Sequence, residues 1–147
     1  VLCHGSTTGS VTVSATGGTP GVTGYTYTWT PNVSSSDNVQ NVGAGTYTIV
    51  VTDSNNCTAS VASTITEPPA LVITANTTPN LCFDDSTGAI TVVASGGVPA
   101  YNYSVTDNGV NIWNNTNGQF NGLHAGNYTA TIIDQNQCSS TTNVILT

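Results

Sequence analysis

Few side chains in this 147-residue sequence could carry acid–base or nucleophilic chemistry near neutral pH. His4 and His124 are the two histidines, and imidazole is the side chain that titrates in that range. An internal repeat aligns His4 with Phe83 and His124 with Gly43, so the histidines occupy non-equivalent places. Neither histidine is accompanied by a nucleophile-elbow motif. The sequence therefore predicts no catalytic residue, and we expect the chain not to be an enzyme.

Two aspartates do recur in the repeat, Asp53 and Asp134, each before an Asn-containing turn that leads to a cysteine. An Asp in that position can accept hydrogen bonds from the turn's own backbone, which explains both residues without a ligand. Calcium binding is the functional alternative, because carboxylate, amide and carbonyl oxygens are its ligands. With few carboxylates available we expect no metal site and no cofactor, and calcium stays open as the rival.

The four cysteines are better suited to disulfides than to a metal site. No C-x-x-C pair of the kind found in zinc sites occurs. One cysteine begins and one nearly ends each copy of the repeat, so we predict the pairs Cys3–Cys57 and Cys82–Cys138, one of three connectivities. Such bonds place the protein outside the cell.

Charge and hydropathy exclude several partners. The sequence has no Lys or Arg and seven acidic residues, a formal charge of −7. Nucleic-acid binding depends on cationic side chains that displace counterions from phosphates, and anionic membranes would repel this chain for the same reason. No apolar run reaches the ~20 residues of a membrane span. We therefore expect no nucleic acid and no membrane insertion, and we interpret the sequence as a mature segment of a longer precursor.

The sequence repeats itself once. A shift of 79 residues (82 minus 3) superposes Cys3 on Cys82 and Gly17–Pro20 on Gly96–Pro99. After a loop of different length the shift becomes 81 (138 minus 57), and it continues to the last residue. We predict two domains, 1–67 and 68–147, with their joint around residues 67–71.

Short segments of period-2 hydrophobicity occur in the same order in both copies, separated by Gly, Asn, Asp and Pro, and no segment shows a helical period. The predicted fold class is all-β: two tandem immunoglobulin-like antiparallel β-sandwich repeats, each with one disulfide. Single cores of fewer than about 80 residues are marginal, which is why the predicted disulfides matter.

Each copy also carries an apolar residue, a glycine and a tyrosine in the pattern of a tyrosine corner, at Gly45 with Tyr47 and at Gly126 with Tyr128. We expect the glycine to supply a positive φ and the tyrosine hydroxyl to bond to backbone a few residues upstream. The alternative is that both tyrosines are ordinary half-buried strand residues.

The joint contains Glu67, Pro68 and Pro69. Two prolines fix φ and remove two amide donors, so we expect an extended and stiff linker.

Several motifs of the first copy together resemble the SprB-type repeat. They span Cys3 to Leu71 and include these segments: 9–13, 17–20, 25–29, 44–53, 57–59 and 65–71. The resemblance implies sandwich repeats in giant surface adhesins of Bacteroidota, some of them carried along gliding cells and exported by type IX secretion. It implies no enzymatic activity. Asp85-Ser86-Thr87 also looks like the short O-glycosylation signal of that group, which makes Ser86 a candidate modification site.

These observations predict a non-catalytic, extracellular or cell-surface module that forms a stiff fibre or stalk for attachment or gliding. Its expected partners are adjacent repeats of the same chain, surface glycans or abiotic surfaces, and other copies in a homo-filament. Avidity would compensate for weak single contacts. The alternatives are a self-assembling filament subunit, and spacer repeats attached to a secreted enzyme.

Overall fold

Regular structure consists of β-strands alone in the residues that the computed structural model describes, which are 1–22, 24–82 and 85–147. The chain divides into two compact units, Val1–Glu67 and Pro68–Thr147. Every strand pairing is antiparallel. The all-β antiparallel class predicted from the sequence is therefore confirmed. Among the described residues no helix has the length and apolarity needed to cross a membrane.

The described residues of unit 1 form five strands arranged in two sheets. They are β1 (Gly9–Thr12), β2 (Thr26–Thr30), β3 (Asn38–Val42), β4 (Gly45–Thr52) and β5 (Thr58–Ile65). β1 pairs with β3 in one sheet, and the other sheet has the order β2-β4-β5. The short strands end where Gly, Pro, Asn and Asp cluster, as turn chemistry requires.

Unit 2 repeats these five strands and adds two. Its strands are β6 (Val72–Thr78), β7 (Gly88–Ser95), β8 (Asn102–Asp107), β9 (Asn111–Asn115), β10 (Gln119–Leu123), β11 (Gly126–Ile133) and β12 (Ser139–Leu146). One sheet has the order β10-β7-β6 and the other β12-β11-β8-β9. β9 lies in the segment that makes the second copy longer. The described residues of unit 1 contain no counterpart of β6.

Both cores follow from the period-2 alternation of the strands. Burial alternates residue by residue along β4 and β11, because successive side chains point to opposite faces. The apolar faces of the two sheets of each unit meet in one cluster. The buried residues of unit 1 are Val11, Trp29, Val39, Val42, Tyr47, Ile49 and Val51. Those of unit 2 are Ile90, Val92, Val105, Phe120, Leu123, Tyr128, Ala130, Ile132, Val144 and Leu146.

Candidate functional site

The cysteines are not paired as the sequence suggested. Cys3 and Cys138 are disulfide-bonded, whereas Cys57 and Cys82 are exposed and carry free thiols. The predicted pairs Cys3–Cys57 and Cys82–Cys138 are therefore wrong, and so is the prediction of one disulfide within each unit.

In unit 1 the reason is the last strand, which separates the two cysteines. Cys57 directly precedes β5. Cys3 lies at the opposite end of that strand, where the amino group of Val1 donates to the carbonyl of Thr66 at 2.9 Å and the Gly5 amide donates to the Glu67 carboxylate at 2.7 Å. Eight extended residues span about 27 Å, and a disulfide needs Cα atoms within about 7 Å. The two thiols cannot meet.

Unit 2 has the same arrangement. Cys138 directly precedes β12. Cys82 follows Asn80, whose amide donates to the carbonyl of Thr147 beyond the far end of that strand at 2.8 Å. Each unit thus carries one cysteine at either end. By the repeat alignment, the bonded Cys3 and the free Cys82 are equivalent, and so are the bonded Cys138 and the free Cys57.

At the end of each unit that holds the second cysteine, one aspartate organises two loops. Asp53 Oδ1 accepts the amides of Asn55 at 2.9 Å and Cys57 at 2.8 Å, and Oδ2 accepts the amide of Thr19 at 3.0 Å. The first two bonds close the turn between β4 and β5. The third holds the loop after β1 against that turn. We call this arrangement the aspartate clasp.

The clasp of unit 2 is equivalent atom for atom. Asp134 Oδ1 accepts the amides of Asn136 and Cys138, both at 2.9 Å, and Oδ2 accepts that of Val98 at 2.8 Å. Asp134 is 1% exposed. The expected turn-capping role is thus accompanied by a bond to a distant loop, which local sequence could not reveal.

Each unit has a pair of glycines, Gly17-Gly18 and Gly96-Gly97, whose second member lies directly against the clasp carboxylate. Gly18 and Gly97 have φ of +62° and +59°, and a Cβ at either residue would lie 2.8 or 2.7 Å from the aspartate Oδ2. Tyr25 and Tyr101 complete the loops by donating their hydroxyls to the carbonyls of Gly17 and Gly96 at 2.5 and 2.6 Å. Neither tyrosine was predicted as a loop anchor, because they are 76 residues apart (101 minus 25) and neither shift of the repeat superposes them.

In unit 1 the clasp hydrogen bonds favour the ionised carboxylate of Asp53. The amide of Thr19, followed by that of Cys57, lowers the pKa of Asp53 below its ordinary value of 3.8. No group of three or more His, Cys, Asp or Glu side chains that could hold a metal occurs among the described residues. The three acceptor positions named above are used by backbone amides, which favours the turn-capping explanation over calcium.

The corner tyrosines make the kind of hydrogen bond that was expected. Tyr47 donates its hydroxyl to the carbonyl of Gly43 at 3.0 Å, and Tyr128 donates to that of His124 at 2.8 Å. Both acceptors lie four residues upstream. Each hydroxyl therefore bonds to the backbone that connects its strand to the preceding one.

The predicted positive φ occurs at one of the two corner glycines. Gly45 has φ of +156°, and Gly126 lies outside the left-handed region. Just before each corner a residue in the left-handed region also occurs, Asn41 with φ of +57° and Gly122 with φ of +73°. They are equivalent in the repeat and coincide with register shifts of the β1–β3 and β7–β10 ladders, which is typical of a bulge.

The segment that makes unit 2 longer forms a β-hairpin of β8 and β9, which was not predicted from the sequence. Asp107 accepts two hydrogen bonds from Asn111, from the amide at 2.7 Å and from the side chain at 2.8 Å, and these close the turn between β8 and β9. Trp113 of β9 packs edge-on against Tyr128 with ring centroids 6.1 Å apart. Trp113 thereby covers a core position in this unit.

The remaining predicted residues are spread over the surface. Glu67 contacts His4 Nδ1 at 3.0 Å in addition to the Gly5 amide, and the carbonyl of Pro69 accepts the Gly97 amide at 2.9 Å. Pro68 is half-buried. Ser86 is exposed, and its amide donates to the Asp85 carboxylate at 2.7 Å.

Both antiparallel sandwich units share the clasp, the double glycine and the corner tyrosine. The family model for the SprB repeat matches residues 1–34 and residues 74–110. The resemblance to the SprB repeat is thereby confirmed for these two segments. The matched segments contain the first cysteine and the double glycine of each unit.

One solved structure similar to this chain is the crystal structure of the C-terminal 282-residue fragment of intimin in complex with the intimin-binding domain of the translocated intimin receptor. The sequence identity is 14% and the TM-score is 0.48. The match covers 83% of the present chain and 51% of the intimin chain, so this chain spans about half of that fragment. No functionally curated protein matches the sequence.

Proposed function

We propose that this chain is a non-catalytic repeat module of a large extracellular or cell-surface adhesin, and that its two units are tandem repeats of a stiff fibre or stalk used for attachment or gliding. The observation that carries the proposal is the match of two segments to the SprB repeat. The shared clasp, glycine loop and tyrosine corner support descent of both units from one repeat. Pro68 and Pro69 support a stiff joint.

The chemistry of the surface also supports binding over catalysis. A chain without Lys or Arg presents mainly hydroxyl and amide groups to solvent, and these suit many weak contacts with glycans or solid surfaces. Export by type IX secretion and O-glycosylation at Ser86 belong to the same proposal.

The test is labelling of intact, unpermeabilised cells with an antibody against this segment, combined with attachment to glass. We expect filamentous or moving surface label, and reduced attachment when the antibody is present. An antibody against a cytosolic protein of the same cells is the matched control for leakage. Surface label with unchanged attachment would favour a spacer, and absence of label would refute the extracellular function.

A self-assembling filament subunit is the second candidate, favoured by one observation. The outer edge of β1 has no partner strand among the described residues, and such edges can pair with another chain. Sedimentation velocity over a wide concentration range tests this candidate. Growth of large species with concentration would support it, and a single monomeric species throughout would refute it.

A further inference from the structure

Unit 2 contains a strand that unit 1 lacks. β6 pairs with β7 along its whole length, from Val72 opposite Ser95 to Thr78 opposite Ala89. The equivalent of β7 in unit 1 is β1, which pairs with β3 alone in the described part of the chain. The outer edge of β1 is therefore open where that of β7 is filled.

β1, which has the open edge, is shorter than its equivalent β7. β1 ends at Thr12, whereas β7 continues to Ser95, the equivalent of Thr16. The Val13 amide donates to the Asp37 carbonyl of the β3 side at 2.8 Å. Because the amides of neighbouring residues in a strand point in opposite directions, those of Thr12 and Ser14 face the open edge.

A groove follows the open edge into the core. It has a volume of about 410 Å³, and its apolar lining includes Val13, Ala15, Tyr25, Val51 and Val61. In unit 2 the equivalent space is filled from β6 and the residue before it, because Leu71, Ile73 and Ala75 pack against the core there.

Incomplete covering leaves the core of unit 1 more exposed than that of unit 2. Val11 is 8% exposed and its equivalent Ile90 is 0% exposed. Val51 is 9% exposed and its equivalent Ile132 is 0% exposed.

The first glycine of each pair shows whether another chain segment crosses the glycine loop. A Cβ on Gly96 would lie 1.9 Å from the carbonyl oxygen of Ala70, so the chain entering β6 runs directly over this glycine. A Cβ on the equivalent Gly17 would meet nothing within 4 Å. Gly17 has the same left-handed conformation, with φ of +82°, as Gly96, with φ of +71°. The loop of unit 1 is thus already shaped to accept a crossing chain.

We propose that the groove beside β1 binds an extended strand of β6 type, supplied by polypeptide joined in front of Val1 in a tandem array. This inference rests on the tandem-repeat part of the proposed function. The chemistry asked of the strand is that of Leu71, Ile73 and Ala75: apolar side chains at alternate positions, with exposed residues between them. The repeat alignment fixes the register, because it places the equivalent of Ile73 opposite Ala15 and that of Ala75 opposite Val13.

The inference changes the boundary of the structural unit. A complete sandwich then consists of the strand before the first cysteine together with the strands that follow it. Unit 2 is complete in this sense, and unit 1 gains the same sheet when the strand is restored.

The experiment restores the strand by extending the intact chain at Val1 with a copy of its own residues 68–79. Val1 is the repeat equivalent of Asn80, so the added strand has its natural spacing. The control extension has the same length and carries Leu71→Ser, Ile73→Ser and Ala75→Ser in the added copy. Amide hydrogen exchange by NMR reports on β1, and thermal unfolding reports on the unit.

With the native extension we expect exchange at the Thr12 and Ser14 amides to slow by at least about tenfold, and the melting temperature of unit 1 to rise by about 5 °C or more. The control extension should leave both quantities near those of the original chain. Gly17→Ala supplies a further readout, because its destabilising effect should increase only when the native extension crosses it.

Equal protection with the two extensions would overturn the proposal. Concentration-dependent dimers formed by the native extension would also overturn it, because they would show that the strand comes from a second copy. Since these measurements use purified protein, their failure is distinguishable from a negative result in cell-surface labelling.

Discussion

The carboxylate of Asp134 accepts the backbone amide of Val98 at 2.8 Å, and this bond holds the glycine loop after β7 against the turn before β12. The two residues are 36 positions apart in the sequence. Because Asp134 is 1% exposed, water cannot replace the carboxylate as an acceptor at low cost. The bond therefore connects the two sheets at the end of the unit that holds Cys138.

Asp134→Ala should destabilise unit 2 by about 3 kcal/mol, since it removes the acceptor of three backbone amides. Asp134→Asn, which keeps an acceptor oxygen without the charge, should have a smaller effect. Thermal or urea unfolding of the whole chain measures both. The exposed neighbour provides the matched control, Gln135→Ala, which should change stability by less than about 0.5 kcal/mol. Equal effects of Asp134→Ala and Gln135→Ala would contradict the role of the clasp.

The clasp of unit 1 predicts a stability that falls in acid. The Thr19 amide is the first cause that lowers the pKa of Asp53 below 3.8. Because the pKa is lower in the folded than in the unfolded state, this contribution is fully present above pH 3.8 and is lost as the pH falls through the lowered value. Unfolding of the wild type should therefore become easier below that pH. Asp53→Asn should flatten the dependence, and an unchanged slope in this variant would show that other groups cause it.

Equivalent glycines should respond differently to the same substitution. Gly96→Ala forces a Cβ to within 1.9 Å of the Ala70 carbonyl oxygen and should cost about 3 kcal/mol or more. Gly17→Ala meets no neighbour within 4 Å, so only the left-handed conformation opposes it, at about 1–2 kcal/mol. Unfolding of the two variants gives the comparison. A larger effect at Gly17 would contradict the difference between the units.

The sequence predicted the fold because local and periodic signals agree. Alternating apolar residues in β4 and β11 specify strands with one buried face, and the turn residues between segments end those strands. The self-alignment correctly paired Asp53 with Asp134 and Tyr47 with Tyr128. Each strand, each turn and each corner motif is encoded by residues that lie within a few positions of one another in the sequence.

The disulfides and the clasp contacts depend on distant parts of the chain, and so they could not be predicted. Sequence spacing suggested that Cys3 and Cys57 belong together, but it does not state that an eight-residue strand holds them at opposite ends. Similarly, Asp53 was expected to cap its own turn, and its third bond to Thr19 requires two loops to meet. The left-handed φ of Asn41 was not predicted, because it accompanies a bulge in the β1–β3 ladder, which pairs distant parts of the sequence.

Thiol chemistry should distinguish the two classes of cysteine. In the native chain we expect a maleimide to label Cys57 and Cys82, because both are exposed and free. Cys3 and Cys138 should become reactive only after reduction, because they are disulfide-bonded. Peptide mapping by mass spectrometry identifies the labelled residues, with Cys57→Ser and Cys82→Ser as the matched controls. Native protein that takes up no label would instead support the pairs suggested by sequence spacing.

The corner hydroxyl of Tyr128 should contribute to stability in a way that alkali removes. Tyr128→Phe deletes the bond to the His124 carbonyl, which lies at 2.8 Å, and keeps the ring packed on Trp113. We expect a loss of about 1 kcal/mol. Burial, and then the charge of Asp107, raise the pKa of Tyr128 above its ordinary value of 10.0.

Since the folded state holds this proton more tightly, the contribution of Tyr128 is complete below pH 10.0 and declines as the pH rises through the raised value. Unfolding measured from neutral pH into alkali should therefore show a steeper decline for the wild type than for Tyr128→Phe. Tyr103→Phe, at a half-buried residue of the same sheet, is the control for general effects of losing a tyrosine. Parallel declines for wild type and Tyr128→Phe would show that the corner bond does not stabilise the unit.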